Sequence, residues 1–255
     1  MPIFNDPKTV YGLIGYPLTH SFSIDYFNHK FHAEEINAEY INFEIEDIGD
    51  LMEIIAEQPH LNGLNVTSPY KEQVLPYMTR LDETAQVVGA VNVIKFVRNE
   101  KDNHLELHGY NSDVMGFLRS MEPLLNENRN RAMILGTGGA SKAVAHAFKQ
   151  LGVEVTIISR HKSAETVVYE EITKAMVNAH KIIINATPLG KYPDVDKCPD
   201  FPYRFLTKEH LCYDLVYNPE ETLFMKKSKQ NRAEVKNGLE MLLLQAFESY
   251  SIWTK

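Results

Sequence analysis

Apolar residues along the chain recur alternately at strand spacing and at helix spacing. Three short runs are apolar throughout or alternate apolar and polar positions, as strands do: YGLIG at 11–15, YINFEI at 40–45 and GLNVT at 63–67. Between the first two runs, Ile24, Phe27 and Phe31 recur at helical spacing, and a helical pattern at 48–55 precedes the third. This repeated strand–helix–strand order predicts an α/β architecture with parallel pairing.

A hairpin and a helix end this first group of elements. The runs GAVNVIKFV at 89–97 and HLELHGY at 104–110 flank a charged turn, which predicts two antiparallel strands. Apolar residues at helical spacing then extend from Val114 to Leu125. The polar run NENRNR at 126–131 follows and predicts a break between two structural units.

The second half of the chain repeats the alternation. Four short β-rich runs are separated by helical patterns: AMIL at 132–135, VEVTII at 153–158, KIIINAT at 181–187 and LCYDLV at 211–216. Such an order predicts a doubly wound parallel sheet. A last amphipathic helix extends from Leu239 to Tyr250, after a break at Asn237–Gly238.

Composition restricts the class of partner. The 255 residues carry a formal net charge of -8, which argues against a nucleic-acid or anionic membrane surface as the partner. The two cysteines, Cys198 and Cys212, form no metal-ligand spacing, and a reducing compartment suits them. No apolar run approaches bilayer length, and the start lacks signal-peptide features, so we expect a cytoplasmic protein.

A glycine-rich loop, GTGGASK at 136–142, joins a buried-type strand to an apolar helix. In this position glycines let the backbone approach a pyrophosphate, and the helix N-terminus supplies N–H groups. The third glycine of the usual pattern is absent because Ser141 occupies its place, and a tight structural turn is the alternative. We expect dinucleotide binding, with these contact residues: Gly136, Gly138, Gly139 and Ala140.

The end of the next strand selects the cofactor. A site for NAD usually places an acidic residue here to hold the ribose hydroxyl. This chain instead reads Ser159-Arg160-His161-Lys162, with no carboxylate before Glu165. Cations suit a 2′-phosphate, which Ser159, Arg160 and Lys162 would contact, so the segment predicts NADP; a solvated charged turn is the alternative.

Two ionisable residues follow strand ends in the first half. Lys71 stands behind the turn TSPY, and Asp113 stands at a strand-to-helix junction. Taken alone, Lys71 is typical of a surface lysine, and Asp113 of a helix N-cap. As a pair at strand ends, where open α/β sheets bind ligands, they can hold a hydroxyl and pass a proton.

Small polar residues accompany this pair. Ser21 and Ser23 precede a helix that needs only one cap, while Asn65, Thr67 and Asn92 stand on otherwise apolar strands. Buried polar groups cost free energy unless they are satisfied. They therefore either bond to backbone or face a cleft, where they suit a polyhydroxylated ligand.

Eight segments in order resemble the shikimate dehydrogenase family over nearly the whole chain: GYPLTHSFS, GLNVTSPYK, GAVN, GYNSD, GTGGASKA, NATPLG, YDLVYNP and NGLEMLLLQA. The resemblance implies an N-terminal α/β substrate domain and a Rossmann-type NADP domain, with the last helix returning to the first domain. We expect these domains at residues 1–113 with 237–255, and at residues 114–236.

The resemblance also implies the reaction, which is hydride transfer between NADP and C3 of shikimate in aromatic amino acid biosynthesis, without a metal. Lys71 and Asp113 would be the catalytic pair. The implied substrate ligands are Ser21, Ser23, Thr67, Asn92, Gln245 and Tyr217. The implied cofactor contacts add Ala186, Thr187 and Gly238 to those of the glycine loop and the cationic turn.

Several alternatives stay open at this point. Ile24, Tyr70 and Ser112 depart from the usual family pattern, and a quinate dehydrogenase with relaxed cofactor use is the nearest other activity. A regulator that binds NADP or shikimate without turnover is a further alternative, although Lys71 and Asp113 are both present. The sequence leaves open which of these two residues moves the proton, and whether the protein is a monomer or a homodimer.

Overall fold

The computed structural model describes residues 7–18, 22–99 and 104–255. The chain divides into two compact units, Met1–Ser112 with Ala246–Lys255, and Asp113–Gln245. The sequence placed the first boundary one residue later, after Asp113. It placed the second before Asn237, whereas the observed division lies inside the last helix.

In the described part of the first unit, six strands form one sheet in the order β2-β1-β3-β5-β6-β4. Their bounds are Thr9–Gly15 (β1), Ala38–Glu44 (β2), Leu61–Val66 (β3), Arg80–Leu81 (β4), Val93–Arg98 (β5) and Leu105–Tyr110 (β6). β1 pairs in parallel with β2 and β3, as predicted. β5 is antiparallel to β3 and β6, so the sheet is mixed, because the predicted hairpin reverses the chain.

In the described part of the second unit, six parallel strands form a sheet in the order β12-β11-β10-β7-β8-β9. Their bounds are Arg131–Leu135 (β7), Glu154–Ser159 (β8), Thr166–Val168 (β9), Ile182–Asn185 (β10), Leu211–Asp214 (β11) and Glu234–Lys236 (β12). The predicted doubly wound sheet is confirmed. The strand order reverses between β7 and β10, which is where such sheets bind ligands. Three-residue strands such as β9 and β12 carry too few positions to show a period.

The described residues form eight α-helices: Phe22–Ala33 (α1), Leu51–Glu57 (α2), Glu83–Val88 (α3), Ser112–Met121 (α4), Gly139–Gln150 (α5), Lys174–Ala179 (α6), Leu223–Gln230 (α7) and Leu239–Thr254 (α8). α4 ends four residues before the predicted Leu125, because Pro123 cannot continue an α-helix. None of the helices in the described ranges is long and apolar enough to cross a bilayer.

Gly89 was predicted to begin a strand, but it ends α3 instead. The Asp82 side chain caps the start of α3 by accepting from the Ala85 N–H at 2.9 Å, and Gly89 closes it with φ +67°. The strand begins only at Val93. The intervening segment carries Asn92 to the edge of the first-unit core.

Aromatic side chains fill the core between the first sheet and its helices. Phe27 and Tyr40 stack with centroids 4.7 Å apart, and Tyr11 stacks on Trp253 at 4.8 Å. Gly63 leaves room for Trp253, because a Cβ there would lie 2.4 Å from the indole. The last turns of α8 are therefore packed into the first unit.

Candidate active site

Asn65 is the centre of a buried hydrogen-bond network in the first unit. Its Oδ1 accepts from the Tyr40 hydroxyl at 2.8 Å, and its Nδ2 donates to Ser249 Oγ at 2.9 Å and to the Asn92 carbonyl at 3.3 Å. The Ser23 side chain hydrogen-bonds Tyr40 in turn. Burial raises the pKa of Tyr40 well above its usual value, so the phenol stays neutral.

Asn92 extends the network to the start of α4. Its Oδ1 accepts from the Ser112 N–H at 2.7 Å, and its Nδ2 donates to Ser112 Oγ at 3.0 Å. Ser112 Oγ also lies 3.2 Å from Ser249 Oγ. The network of Tyr40, Asn65, Asn92, Ser112 and Ser249, here called the first-unit network, thus fixes the residue that precedes Asp113 in the chain.

The first-unit network contains two predicted polar residues, Asn65 and Asn92, and a third, Ser23, hydrogen-bonds its member Tyr40. Sequence reasoning missed Tyr40 and Ser249 as their partners. Ser249 is fully buried on α8, four positions after Gln245. That i, i+4 spacing of two polar residues on an apolar helix was the available signal.

Two backbone hydrogen bonds anchor the turn that carries Lys71. The Thr67 N–H donates to the Ile14 carbonyl at 2.9 Å, and the Lys71 carbonyl accepts from the Val91 N–H at 2.8 Å. Thr67 and Lys71 are each half-buried. Lys71 therefore differs from a fully solvated surface lysine. The predicted contact Ser21 lies outside the described residues.

Asp113 is the second residue of α4 and is 6% exposed. The N-cap interpretation is therefore wrong, because the helix already begins at Ser112 and a cap precedes its helix. A carboxylate in the first turn of a helix is favoured by the helix dipole.

Gly116 brings α4 close to α8 within the second unit. A Cβ at Gly116 would lie 2.8 Å from the Met241 carbonyl and 3.0 Å from Gln245 Cβ. Gln245 is half-buried and donates to the Leu242 carbonyl at 3.0 Å. The helix whose second residue is Asp113 therefore packs against the segment of α8 that holds Gln245.

Gly136 directly follows β7 and adopts a backbone conformation that suits glycine, with φ +115°. A Cβ there would lie 3.2 Å from both the Ala186 carbonyl and Thr187 Cγ2. Ser141 Oγ donates to the Gly136 carbonyl at 2.7 Å, so the serine in place of the third glycine ties the loop to its helix. The structure thus brings the predicted glycine loop beside the predicted loop at 186–187.

Gly138 is the N-cap of the twelve-residue helix α5. A Cβ there would meet no protein atom within 4 Å, so the described protein gives no steric reason for glycine. Gly138 also brings no side-chain acceptor to the first N–H groups of the helix. An uncapped helix N-terminus with open space before it fits a pyrophosphate. Gly139 and Ala140 begin that helix.

The cationic turn after β8 is exposed from Arg160 to Lys162. Ser159 Oγ accepts from the His161 N–H at 3.1 Å, which curls the backbone around the strand end. Lys162 forms a surface ion pair with Glu171, whereas Arg160 forms none with any residue that the structure describes. Arg160 is accordingly the stronger candidate for a 2′-phosphate.

A second buried network joins the ends of β10 and β11. Asn185 Oδ1 accepts from Thr187 Oγ1 at 2.6 Å, and Asn185 Nδ2 donates to Asp214 Oδ1 at 2.9 Å. Asp214 Oδ2 accepts from Thr222 Oγ1 at 2.5 Å. Burial raises the pKa of Asp214 to about 7. Asn185, Thr187, Asp214 and Thr222 are here called the second-unit network.

Sequence reasoning predicted only Thr187 of the second-unit network. Asn185 and Asp214 each end an apolar strand with a polar residue, in KIIIN and LCYD. Both side chains are fully buried. A polar residue near the end of an otherwise apolar strand is the signal that predicted Asn65. The same signal was overlooked for Asn185 and Asp214.

Gly238 packs directly on the backbone that precedes Tyr217. A Cβ at Gly238 would lie 2.1 Å from the Leu215 carbonyl, and its N–H donates to the Val216 carbonyl at 3.1 Å. Any larger residue would displace this segment. The half-buried Tyr217 thus follows a tightly held stretch of chain. Within the described ranges, no group of three or more His, Cys, Asp or Glu side chains is placed to hold a metal ion.

Comparison with known proteins supplies independent findings. Residues 13–94 match the family described as shikimate dehydrogenase substrate binding domain. A shikimate dehydrogenase (NADP(+)) of Desulforamulus reducens is 34% identical, over 98% of this chain and 91% of its own length.

Solved structures are similar over the same extent. Shikimate dehydrogenase from Aquifex aeolicus has a TM-score of 0.83 and 31% identity, covering 99% of this chain and 94% of that one. Shikimate 5-dehydrogenase from Thermus thermophilus, solved in complex with NADP(H) and shikimate, has a TM-score of 0.82 and 26% identity. That alignment covers 96% of this chain and 93% of the other.

Proposed function

We propose that this chain, which belongs to the shikimate dehydrogenase family, catalyses the reversible NADP-dependent reduction of 3-dehydroshikimate to shikimate. The observation that carries the proposal is the pairing of two kinds of site. A glycine loop lies at the switch point of the doubly wound sheet, and a buried polar network gathers Ser23, Asn65 and Asn92 in the other unit.

NADP, when bound, accepts the hydride from shikimate or returns it to 3-dehydroshikimate. The first N–H groups of α5 would bind its pyrophosphate, because Gly138 leaves the space before them open. Arg160 and Ser159 would bind the 2′-phosphate, with Lys162 adding charge. Ala186, Thr187 and Gly238 would line the nicotinamide side of the cofactor site.

Lys71 and Asp113 would handle the proton. As the C3 alcohol is oxidised, its O–H proton must leave while the hydride departs from carbon. The Lys71 ammonium would stabilise the alkoxide that forms in the reverse direction, and Asp113 would orient the lysine and a neighbouring hydroxyl. Transfer of that proton by one of the two residues completes the reaction.

Polar side chains would hold the substrate's carboxylate and hydroxyls: Ser21, Ser23, Thr67, Asn92, Gln245 and Tyr217. The hydrogen bonds of Asn92 to Ser112 would fix its amide before a ligand arrives, which reduces the ordering cost of binding.

Initial rates of the purified protein test the proposal, with shikimate or quinate as the substrate and NADP or NAD as the cofactor. We expect the shikimate–NADP pair to give the highest kcat/KM of the four combinations. A preference for quinate with NAD would make the protein a quinate dehydrogenase. Binding of shikimate or NADP without any turnover would instead make it a regulator.

A further inference from the structure

The loop after β10 is folded around the side chain of Asn185. Asn185 Oδ1 accepts from the Thr187 N–H at 3.1 Å and from Thr187 Oγ1 at 2.6 Å. Asn185 Nδ2 donates to the Leu189 carbonyl at 3.3 Å. Because a backbone N–H can only donate, the oxygen of the amide must face Thr187, and its nitrogen must face the other way.

Asp214 meets the amide nitrogen of Asn185. The two residues are partners in the register of β10 and β11, and Asp214 Oδ1 lies 2.9 Å from Asn185 Nδ2. Asp214 also accepts hydrogen bonds from the Val216 N–H at 3.0 Å and from the Thr222 hydroxyl at 2.5 Å. All three donors are neutral, and Asp214 forms no ion pair with any described residue.

A carboxyl buried among neutral donors is costly for a structural role. An amide of the same shape would present an oxygen to Asn185 and Val216 without a charge to desolvate. Groups whose pKa is displaced by burial are concentrated at functional sites, and the pKa of Asp214 is raised to about 7.

The loop held by Asn185 touches the glycine loop. The Ala186 N–H donates to the Leu135 carbonyl at 2.9 Å, and a Cβ at Gly136 would lie 3.2 Å from both the Ala186 carbonyl and Thr187 Cγ2. The two loops are therefore closely packed at Gly136. A displacement of Thr187 would therefore change the space beside Gly136.

We propose that Asp214 is a positioning residue for the cofactor, acting through Asn185 to hold the 186–190 loop in place beside the glycine loop. The proposal rests on the proposed function, because that function makes this loop the nicotinamide side of the site. Asp214 holds the amide of Asn185, the amide holds Thr187, and the loop keeps one conformation before NADP arrives.

Three variants separate positioning from general stability. Asp214→Ala removes the acceptor of Asn185, whereas Asp214→Asn keeps an oxygen for Asn185 and Val216. Thr173→Ala is the matched control, because Thr173 caps α6 in the same unit by accepting from the Met176 N–H at 3.2 Å. Its loss destabilises the unit without touching the second-unit network.

We expect Asp214→Ala to raise the Kd for NADP about tenfold, the equivalent of one lost hydrogen bond of about 1.4 kcal/mol. Its kcat should fall while KM for shikimate stays unchanged, and amide hydrogen exchange at Thr187, Leu189 and Gly190 should accelerate. Asp214→Asn should restore most of each parameter. Thr173→Ala should lower Tm and leave kcat, the Kd for NADP and this exchange at wild-type values.

Wild-type values of exchange and NADP affinity in Asp214→Ala would overturn the proposal, as would equal losses in Thr173→Ala. If Asp214→Ala does not fold, Thr187→Val replaces it, since it keeps the side-chain shape and loses the 2.6 Å hydroxyl bond to Asn185. Exchange needs neither substrate nor turnover. A wild-type protein inactive on shikimate would therefore refute the proposed function, while the exchange result would still decide the role of Asp214.

Discussion

The two buried networks solve the same problem with different chemistry. The first-unit network contains only amides and hydroxyls, and its one titratable member, Tyr40, is kept neutral by burial. The second-unit network contains a carboxyl, Asp214, whose pKa burial raises to about 7. Both networks satisfy buried polar groups at strand ends, yet only the second has a protonation state that changes near neutral pH.

The difference in titratable groups predicts how the stability of each network responds to pH. A neutral network keeps the same donors and acceptors at any physiological pH, which suits the recognition of hydroxyls whose own state does not change. The stability that a network centred on a carboxyl gives to the fold changes with pH, because the carboxyl gains or loses a proton. Variants that alter one network should therefore differ from variants of the other in pH dependence and in the ligand affected.

The largest expected effect lies outside both networks, at one of the two residues proposed to handle the proton. Lys71→Ala should lower kcat by about 100- to 10,000-fold, the range typical of a lost acid–base group, with little change in KM. Lys95→Ala, a half-buried lysine on β5, is the control and should keep kcat. Near-normal kcat in the Lys71 variant would remove this residue from the chemistry.

Asn65→Ala breaks the first-unit network at its centre. The substitution removes the Asn65 acceptor of the Tyr40 hydroxyl and the hydrogen bond that Asn65 donates to Ser249, so urea unfolding should show a loss of about 2–4 kcal/mol. Asn62→Ala, on the same strand but only half-buried, should cost about 1 kcal/mol. Equal losses in the two variants would mean that the network adds nothing to stability.

The pH dependence of unfolding tests the second-unit network. The folded chain holds the Asp214 proton up to about pH 7, while an unfolded chain releases it near the ordinary value of 3.8. The proton therefore favours the fold, and stability is lost as pH rises toward 7. Between pH 5 and 8 the wild type should lose about 2–3 kcal/mol more than Asp214→Asn. Parallel pH profiles would contradict a titrating Asp214.

A smaller effect concerns the choice of cofactor. Arg160→Ala should raise KM for NADP about 10- to 100-fold, the equivalent of a charge-assisted hydrogen bond, and leave KM for NAD nearly unchanged. Lys162→Ala should have a smaller effect, because Lys162 already pairs with Glu171. If the Arg160 variant affected both cofactors equally, the 2′-phosphate assignment would be wrong.

The strand and helix pattern predicted the fold class because strands such as β1 and β7 are apolar runs bounded by clear breaks. Short strands were not predicted, since the two residues of β4 cannot display a period. Gly89 was misassigned because a glycine before an apolar run reads equally as a strand start or as a helix end.

Single predicted side chains were found more easily than their partners. Asn65 was recognised as a polar residue on an apolar strand, and Asn92 was predicted to be one although it lies just before β5, but Tyr40 and Ser249 come from segments distant in sequence. Ser249, for example, meets Asn65 across 184 positions. Such pairings depend on the register of strands and helices, which local patterns do not encode.

The central claim is that the first-unit network serves the substrate and the second-unit network serves the cofactor. Calorimetric titration of each ligand alone into Asn65→Ala and Asp214→Ala tests it most directly. We predict a crossed result, in which Asn65→Ala weakens shikimate about tenfold and spares NADP, while Asp214→Ala weakens NADP about tenfold and spares shikimate. Equal weakening of both ligands by either variant would contradict the claim.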